Sequence, residues 1–497
     1  MNINHVILLI IDDFRYDHFI SLLKENKLPN LGKLKNNAIW GKSITTFPSV
    51  TIPAHLTIMT GLYQDSYNIP LMQWYDRIQK KIKNYSVGLQ AFEIYEDIGD
   101  IETIFEKING ATCNIFEPIH RGALYNYPGK LKAIGKYLYY KYISDLNKTN
   151  EIITNRILKI FKNPRKFFPN SQGSPPIFCA GWFLATDMIL HTFGVDSKEY
   201  LASLQSVDKA IGKLITGLKE LNYLDSTAII VVSDHGNYTA KELYNPQLDF
   251  KRYNLFPLQP KKGKGDYDIA DGSILALYLS GDNDKTFKTE SKLRNYKNKI
   301  DVIEVIKNLK GVKWIAFRSD NISNTKGTYI FLRKIREKWE KAYFHYNDMK
   351  VRYEPEKLDL LGYDKSKENH KWLDYEKYYT LDEWLKYTHD LDFPMFPDQI
   401  HRNFMNKNSC DIFISSMAEI VYNSVHGKVK NNYHIYAHDV ALSCSMQVPL
   451  LIYNPNLKEK QIPFSKTSDL VPTILKLLNY KIDPKLPGID LINKKYN

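Results

Sequence analysis

Three short apolar runs in this chain each close on an aspartate: HVILLIID (5–12), PIFCAGWFLATD (176–187) and TAIIVVSD (227–234). A fourth, VPLLIYNP (448–455), lies near the C-terminus. Near-continuous apolar residues over so few positions do not suit a strand with one wet face. They suit strands covered on both faces, as in a parallel sheet. Between the second and third runs, SKEYLASLQSVDKAIGKLITGLKELNY (197–223) sets Leu201, Leu204, Val207, Ile211, Leu214 and Leu218 on one helical face. Strand, helix and strand in that order predict an α/β fold: a mostly parallel central sheet with helices on both faces. At 497 residues, 43% of them hydrophobic, the chain has enough apolar material for one large core and a second module.

The motifs divide the chain. Residues 1–237 read as the first part of the core, with an insertion at about 78–175. Residues 238–430 differ in kind. They are rich in Tyr, Lys, Asn and Asp, and their strands are weaker: SILALYLSG (273–281), VKWIAFRSD (312–320), TYIFLRK (328–334) and CDIFISS (410–416). This stretch reads as a large inserted cap that contacts substrate. Residues 431–497 return to the core and close with SDLVPTILKLLNY (468–480), a helix with Ser468 or Asp469 as N-cap and Pro472 in its first turn.

The net charge of +13 favours anionic partners: phosphate esters, nucleic acid or anionic lipid. No specific nucleic-acid site is evident, since the lysines are widely spread. Two stretches mix basic and aromatic residues, GKLKAIGKYLYYKY (129–142) and RILKIFKNPRKFF (156–168). They read as core-packed helices with lysine rims or, alternatively, as peripheral contacts with an anionic membrane. No apolar run is long enough to span a bilayer, and the N-terminal run is too short for a signal peptide and ends in acids. Cys113, Cys179, Cys410 and Cys444 are scattered without CxxC spacing, giving no disulfide framework and no zinc knuckle. These features together predict a cytoplasmic protein.

In open α/β sheets, ligands bind at the carboxyl ends of strands. Asp12 (with Asp13 beside it), Asp187 and Asp234 all fall there, and carboxylates so gathered repel one another unless protonated or neutralised by cations. Histidines accompany them. His235 follows Asp234 directly, His191 follows Asp187 by one helical turn, and His434 and His438 precede the last apolar run. A mixed Asp and His set without thiolate suits Zn²⁺, with Mn²⁺ or Fe as alternatives. Two such ions clamp the attacking and leaving oxygens of a phosphoryl transfer. The segment TTFPSVTIPAHLTIMTG (45–61) holds a hydroxyl at Thr51, just before Ile52-Pro53. Taken alone it is a helix start.

The order of Asp12, Thr51 in TIP, DMILH, SDHG and His438 resembles the alkaline phosphatase superfamily, and within it the type I phosphodiesterase/nucleotide pyrophosphatase branch. FPSVTIPAHLTIMTGLYQDSYNI (47–69) is similar to that branch's nucleophile segment, LPNLGKLKNNAIW (28–40) to the helix before it, and SDLVPTILKLLNY with LPGIDL to the superfamily's ending. The resemblance covers residues 1–75, 176–237 and 432–491. It implies one metal held by Asp187, His191 and His438, and a second held by Asp12, Asp234 and His235 with Thr51 beside it. It further implies hydrolysis of phosphodiester or pyrophosphate bonds through a covalent phosphothreonine. A phosphoryl transferase, a mutase or a phosphomonoesterase is the enzymatic alternative, and a binding module with an inactive site the non-enzymatic one. The chain departs from the pattern at Asp13, where glycine is usual, and at Ala54, where phosphodiesterases commonly place asparagine. It departs again at AHDV, which leaves His434 as a competitor of His438. IPLMQWYDR (69–77) is expected to line the approach to the metals through Trp74, Tyr75 and Arg77, with QPKKGKG (259–265) as the alternative. Arg77 would then pair with a second anionic group of the substrate; the alternative is that Trp74 packs in the core and Arg77 bridges to a surface acid.

Overall fold

The computed structural model describes residues 3–494 except 87, 130–144, 171–172, 260–261, 282–285, 366–371 and 424–434. Nearly all of the stretch 129–142, His434, and two residues of QPKKGKG therefore lie outside the described residues.

The main sheet has eight strands, with His5–Ile11 near its middle. On one side lie Phe178–Phe183, Thr112–Ile115 and Tyr125–Tyr127, all parallel to it. On the other lies Thr227–Ser233, also parallel, followed by Gln447–Tyr453, Ala38–Ile44 and Lys460–Lys466. His5–Ile11 and Thr227–Ser233 are buried at every position, so their apolar runs do mark strands covered on both faces. Helix Lys198–Glu220 covers one face through Leu204, Val207, Ile211, Leu214 and Leu218. Its first turn is capped by Ser197, whose hydroxyl accepts from the Tyr200 N–H.

Three expectations are corrected. Gln447–Tyr453 is antiparallel to both its neighbours. An apolar run reports two covered faces, not strand direction. Residues 112–115 and 125–127 belong to the main sheet and not to an insertion. They are short strands at one end of the sheet, with polar residues, so they lack the long apolar signal. Cys113 and Cys179, register partners on neighbouring strands, are joined by a disulfide. Spacing along the chain does not reveal register, and the pair runs against the reducing compartment inferred from scattered cysteines.

The second basic-aromatic stretch also resolves. Helix Lys148–Lys162 buries Ile153, Ile157, Ile160 and Phe161, so its apolar side faces the sheet. No described helix is long and apolar enough to cross a membrane.

Residues 267–415 supply a second, antiparallel sheet of seven strands, ending in the long hairpins Trp314–Ile322, Lys326–Ile335, Lys338–Asn347 and Lys350–Pro355. It is not a detached lid. Phe47, just ahead of the Thr51 helix, packs edge-on against Phe396 and Phe413 and lies against Trp314. On its first strand, Tyr267–Ala270, burial and then Asp271 push the Asp268 carboxyl up to about 7 from 3.8. A carboxyl raised on folding adds stability below its unfolded value, and that stability is lost as pH climbs through the folded one. Asp268→Asn should therefore flatten the fall in unfolding free energy between about pH 4 and pH 7, measured by urea denaturation. An unchanged slope would remove Asp268 as its source.

Candidate functional site

Register brings the motifs to one edge. Ile11 pairs with Phe183 on one side and Ser233 on the other, so Asp12, Asp234 and the segment leading to Asp187 leave the sheet side by side. Ile44 pairs with Gln447, so the Thr51 segment leaves at the same edge. Because Gln447–Tyr453 runs the other way, residues that precede it, His438 among them, arrive at that edge as well.

Asp187 and His191 sit one turn apart on helix Ala185–Phe193, with Asp187 Oδ1 3.1 Å from His191 Nε2 and 3.7 Å from His438 Nε2. Asp187, Asp12 and His235 form a second group whose ligand atoms all lie within 4.8 Å. Asp12 Oδ1 is 3.5 Å from His235 Nε2, and Asp234 Oδ2 is 3.2 Å from the same nitrogen. The His438 ring stacks on His235 at 3.8 Å between centroids. Thr51 opens helix Thr51–Thr60, and its Oγ1 lies 3.4 Å from His235 Nε2. Asp187 thus lies between the two groups, which share one cluster with the Thr51 hydroxyl at its side.

The three imidazoles are aimed by the backbone. Nδ1 of His191 meets the Tyr436 carbonyl at 2.7 Å, that of His438 the Ser49 carbonyl at 3.1 Å, and that of His235 the Gly236 carbonyl at 3.3 Å. A carbonyl only accepts, so each Nδ1 donates and each Nε2 is turned to the cluster, where the neutral ring presents a lone pair. Asp12 and Asp13 also separate. Asp13 has φ 61°, a backbone conformation natural to glycine, and its Oδ1 accepts from Asn237 Nδ2 at 2.6 Å. Tyr200 donates to its carbonyl at 2.6 Å. Asp12 instead belongs to the metal-competent group.

Electrostatics set the cluster's character. Burial, then the charges of Asp234 and Asp187, raise the Asp12 carboxyl well above the usual range. Burial acts the same way on Asp187, but the His191 and His438 rings hold it below that range. Burial, then His235, drives His438 down to about 3. Asp12 Oδ1, Asp187 Oδ1 and Asp234 Oδ2 are buried without a hydrogen-bond partner. Buried oxygens of this kind, facing imidazole lone pairs, form a donor set that divalent cations satisfy. The residues present fit such ions.

Sequence reading missed two members. His55 is fully buried between Glu117 and Asp234, and although burial works against it, these two carboxylates raise its pKa to about 10. Its position four residues after Thr51 was a signal of a shared helical face. Glu117 carried none.

Trp74, Tyr75 and Arg77 do not line the site. Arg77 is 4% exposed, ion-paired to Asp411 at 3.0 Å and donating to the Ser409 carbonyl at 2.8 Å. Trp74 is buried and donates to the Tyr85 hydroxyl. In the hairpin Gln73–Asp76 and Lys81–Asn84 these side chains point into packing. The residues just before them, Leu71, Met72 and Gln73, instead wall a cleft of about 340 Å³ with Pro48, Val50 and Asp439, the neighbours of Thr51 and His438, and with Ala270 and Ile274 from the second sheet.

A profile of the type I phosphodiesterase/nucleotide pyrophosphatase family matches residues 6–329. The chain belongs to that family. An uncharacterized pyrophosphatase/phosphodiesterase of Schizosaccharomyces pombe is 31% identical over 275 residues, 53% of this chain and 52% of that protein. Ectonucleotide pyrophosphatase/phosphodiesterase family member 3 of Mus musculus is 28% identical over 351 residues, 65% of this chain and 36% of its own length. The chain thus aligns with about half, or less, of these relatives. Murine ectonucleotide pyrophosphatase/phosphodiesterase 5 shares the fold, with a TM-score of 0.57 over 97% of this chain and 96% of its own, at 16% identity. The family profile ends inside the second sheet, so His438 enters the site from outside the matched residues.

Proposed function

We propose that this chain is a metal-dependent hydrolase of phosphodiester or pyrophosphate bonds, with Thr51 as nucleophile and a covalent phosphothreonine as intermediate. One observation carries the reading: a hydroxyl on the first residue of a helix stands 3.4 Å from an imidazole nitrogen of a buried Asp/His cluster with unpartnered carboxylate oxygens. Family membership agrees with it.

Asp187, His191 and His438 would hold one divalent ion, and Asp12, Asp234 and His235 the other. When bound, such ions supply Lewis-acid polarisation and lower the pKa of an adjacent hydroxyl. The chain supplies the rest. The N–H groups of the first helical turn have no intrahelical acceptor, so the turn that carries Thr51 also faces donors and the positive end of the helix dipole toward a phosphate. Pro53 costs nothing there, because its missing N–H would be one of those. Thr51 Oγ attacks phosphorus in line, the ester oxygen leaves with its electron pair, and the phosphothreonine is then opened by water. The Ala54 methyl is buried and offers no donor, so oxygen contacts must come from the turn and the cluster.

Activity should appear in a zinc-loaded screen of nucleotide diesters, dinucleotides, lipid diesters and aryl diesters. Acid quenching during turnover should trap phosphate on the Thr51 peptide, read by mass spectrometry. Protein purified without chelator should contain about two divalent ions per chain, chelation should abolish turnover, and zinc should restore it. Magnesium alone in the purified protein would remove the zinc assignment.

A further inference from the structure

We propose that His55, braced by Glu117, is the positioning residue that fixes Asp234 as a ligand and so sets how tightly the second metal ion is held. The inference rests on the two-metal reading above. His55 Nδ1 lies 2.8 Å from Glu117 Oε2, and its Nε2 lies 3.3 Å from Asp234 Oδ2. All three side chains are fully buried, and Trp182 closes the His55 ring edge-on at 5.2 Å between centroids. Glu117 is held in turn. The Ile119 N–H donates to its Oε1, and the Asn114 side chain accepts from its N–H and donates to its carbonyl.

The two oxygens of Asp234 have separate duties. Oδ1 accepts the N–H groups of Asp13 and His235. Oδ2 lies 3.2 Å from His235 Nε2 and 3.3 Å from His55 Nε2. Backbone therefore fixes one side of the carboxylate and His55 the other. A buried Glu117 without His55 would strand a charge, so the two groups act as one unit. Its histidine stands on the helix of Thr51, one turn further on, and ties the nucleophile's helix to a ligand of the second ion. Outer partners of metal ligands contribute about 10–100-fold in metal affinity.

The test is zinc titration of the full chain against a competing chelator, with His55→Gln and the isosteric Glu117→Gln, and Thr51→Ala as control. Both variants should keep the Asp187–His191–His438 site within about twofold and weaken the other about 10–100-fold. At limiting zinc kcat should fall while KM holds, and excess zinc should restore kcat; Thr51→Ala should bind zinc as the parent does. Unchanged affinity at both sites in either folded variant would overturn the inference. Equal weakening of both sites, or loss of fold in both variants at saturating zinc, would do so too, because the pair would then be a general brace. A parent chain that binds fewer than two ions would refute the two-metal reading itself, a distinct failure.

Discussion

Thr51→Ala should lower phosphodiester turnover by about three orders of magnitude or more while fold and zinc content stay as in the parent. The structure explains why such a change would be clean. Thr51 is 8% exposed, and among the described residues its hydroxyl meets His235 at 3.4 Å. Removing it leaves a small gap and no stranded charge. The helix keeps its start, because the N-cap at Val50 involves no side-chain bond. Thr51→Ser retains the hydroxyl and should keep partial activity. Circular dichroism and elemental analysis check fold and metal, and initial rates on an aryl diester check chemistry. An alanine variant within tenfold of the parent would mean that the attack comes from another group.

The second large effect is on stability. Arg77→Ala should cost about 3–5 kcal/mol in urea unfolding, because it leaves Asp411 buried without its cation. Asp411 is fully buried, and besides Arg77 it accepts the N–H groups of Leu279 and Lys288. Arg77 thereby pins the hairpin beside the cleft to the second sheet. Any loss of activity in the folded variant should be equal for diesters with charged and with neutral leaving groups. A KM rise confined to diesters with a second anionic group would restore the substrate-contact role first expected for Arg77. The double variant Arg77→Met, Asp411→Leu should recover much of the loss, since matched apolar groups replace a buried pair at little cost.

Why the cluster was legible and Arg77 was not is a matter of where information sits along the chain. Asp12 and Asp234 end apolar runs, and Asp187 and His191 are spaced by one turn. Such signals are local, and the parallel register of neighbouring strands does the assembling. His438 needed the family's order of motifs, because a residue that precedes a strand reaches this edge only if that strand runs backward. Glu117 and the Cys113–Cys179 pair carry no local mark. Their roles appear only once Thr112–Ile115 lies beside Phe178–Phe183. Arg77 misled for the reverse reason: an arginine beside two aromatics reads the same whether its partner is a ligand or a buried acid 334 positions on. Only tertiary packing separates these cases.

The reversed strand Gln447–Tyr453 also fixes a timetable. It is the piece that joins Thr227–Ser233 to Ala38–Ile44, and the loop ahead of it brings His438 to the Ser49 carbonyl across 389 positions. Synthesis proceeds from the N-terminus, and contacts so distant in sequence form late. A chain still on the ribosome holds Thr51 and the acids beside it, yet lacks the strand that gathers them and the imidazole that completes them. The proposed site is thereby incomplete until that strand has been made and the sheet closes.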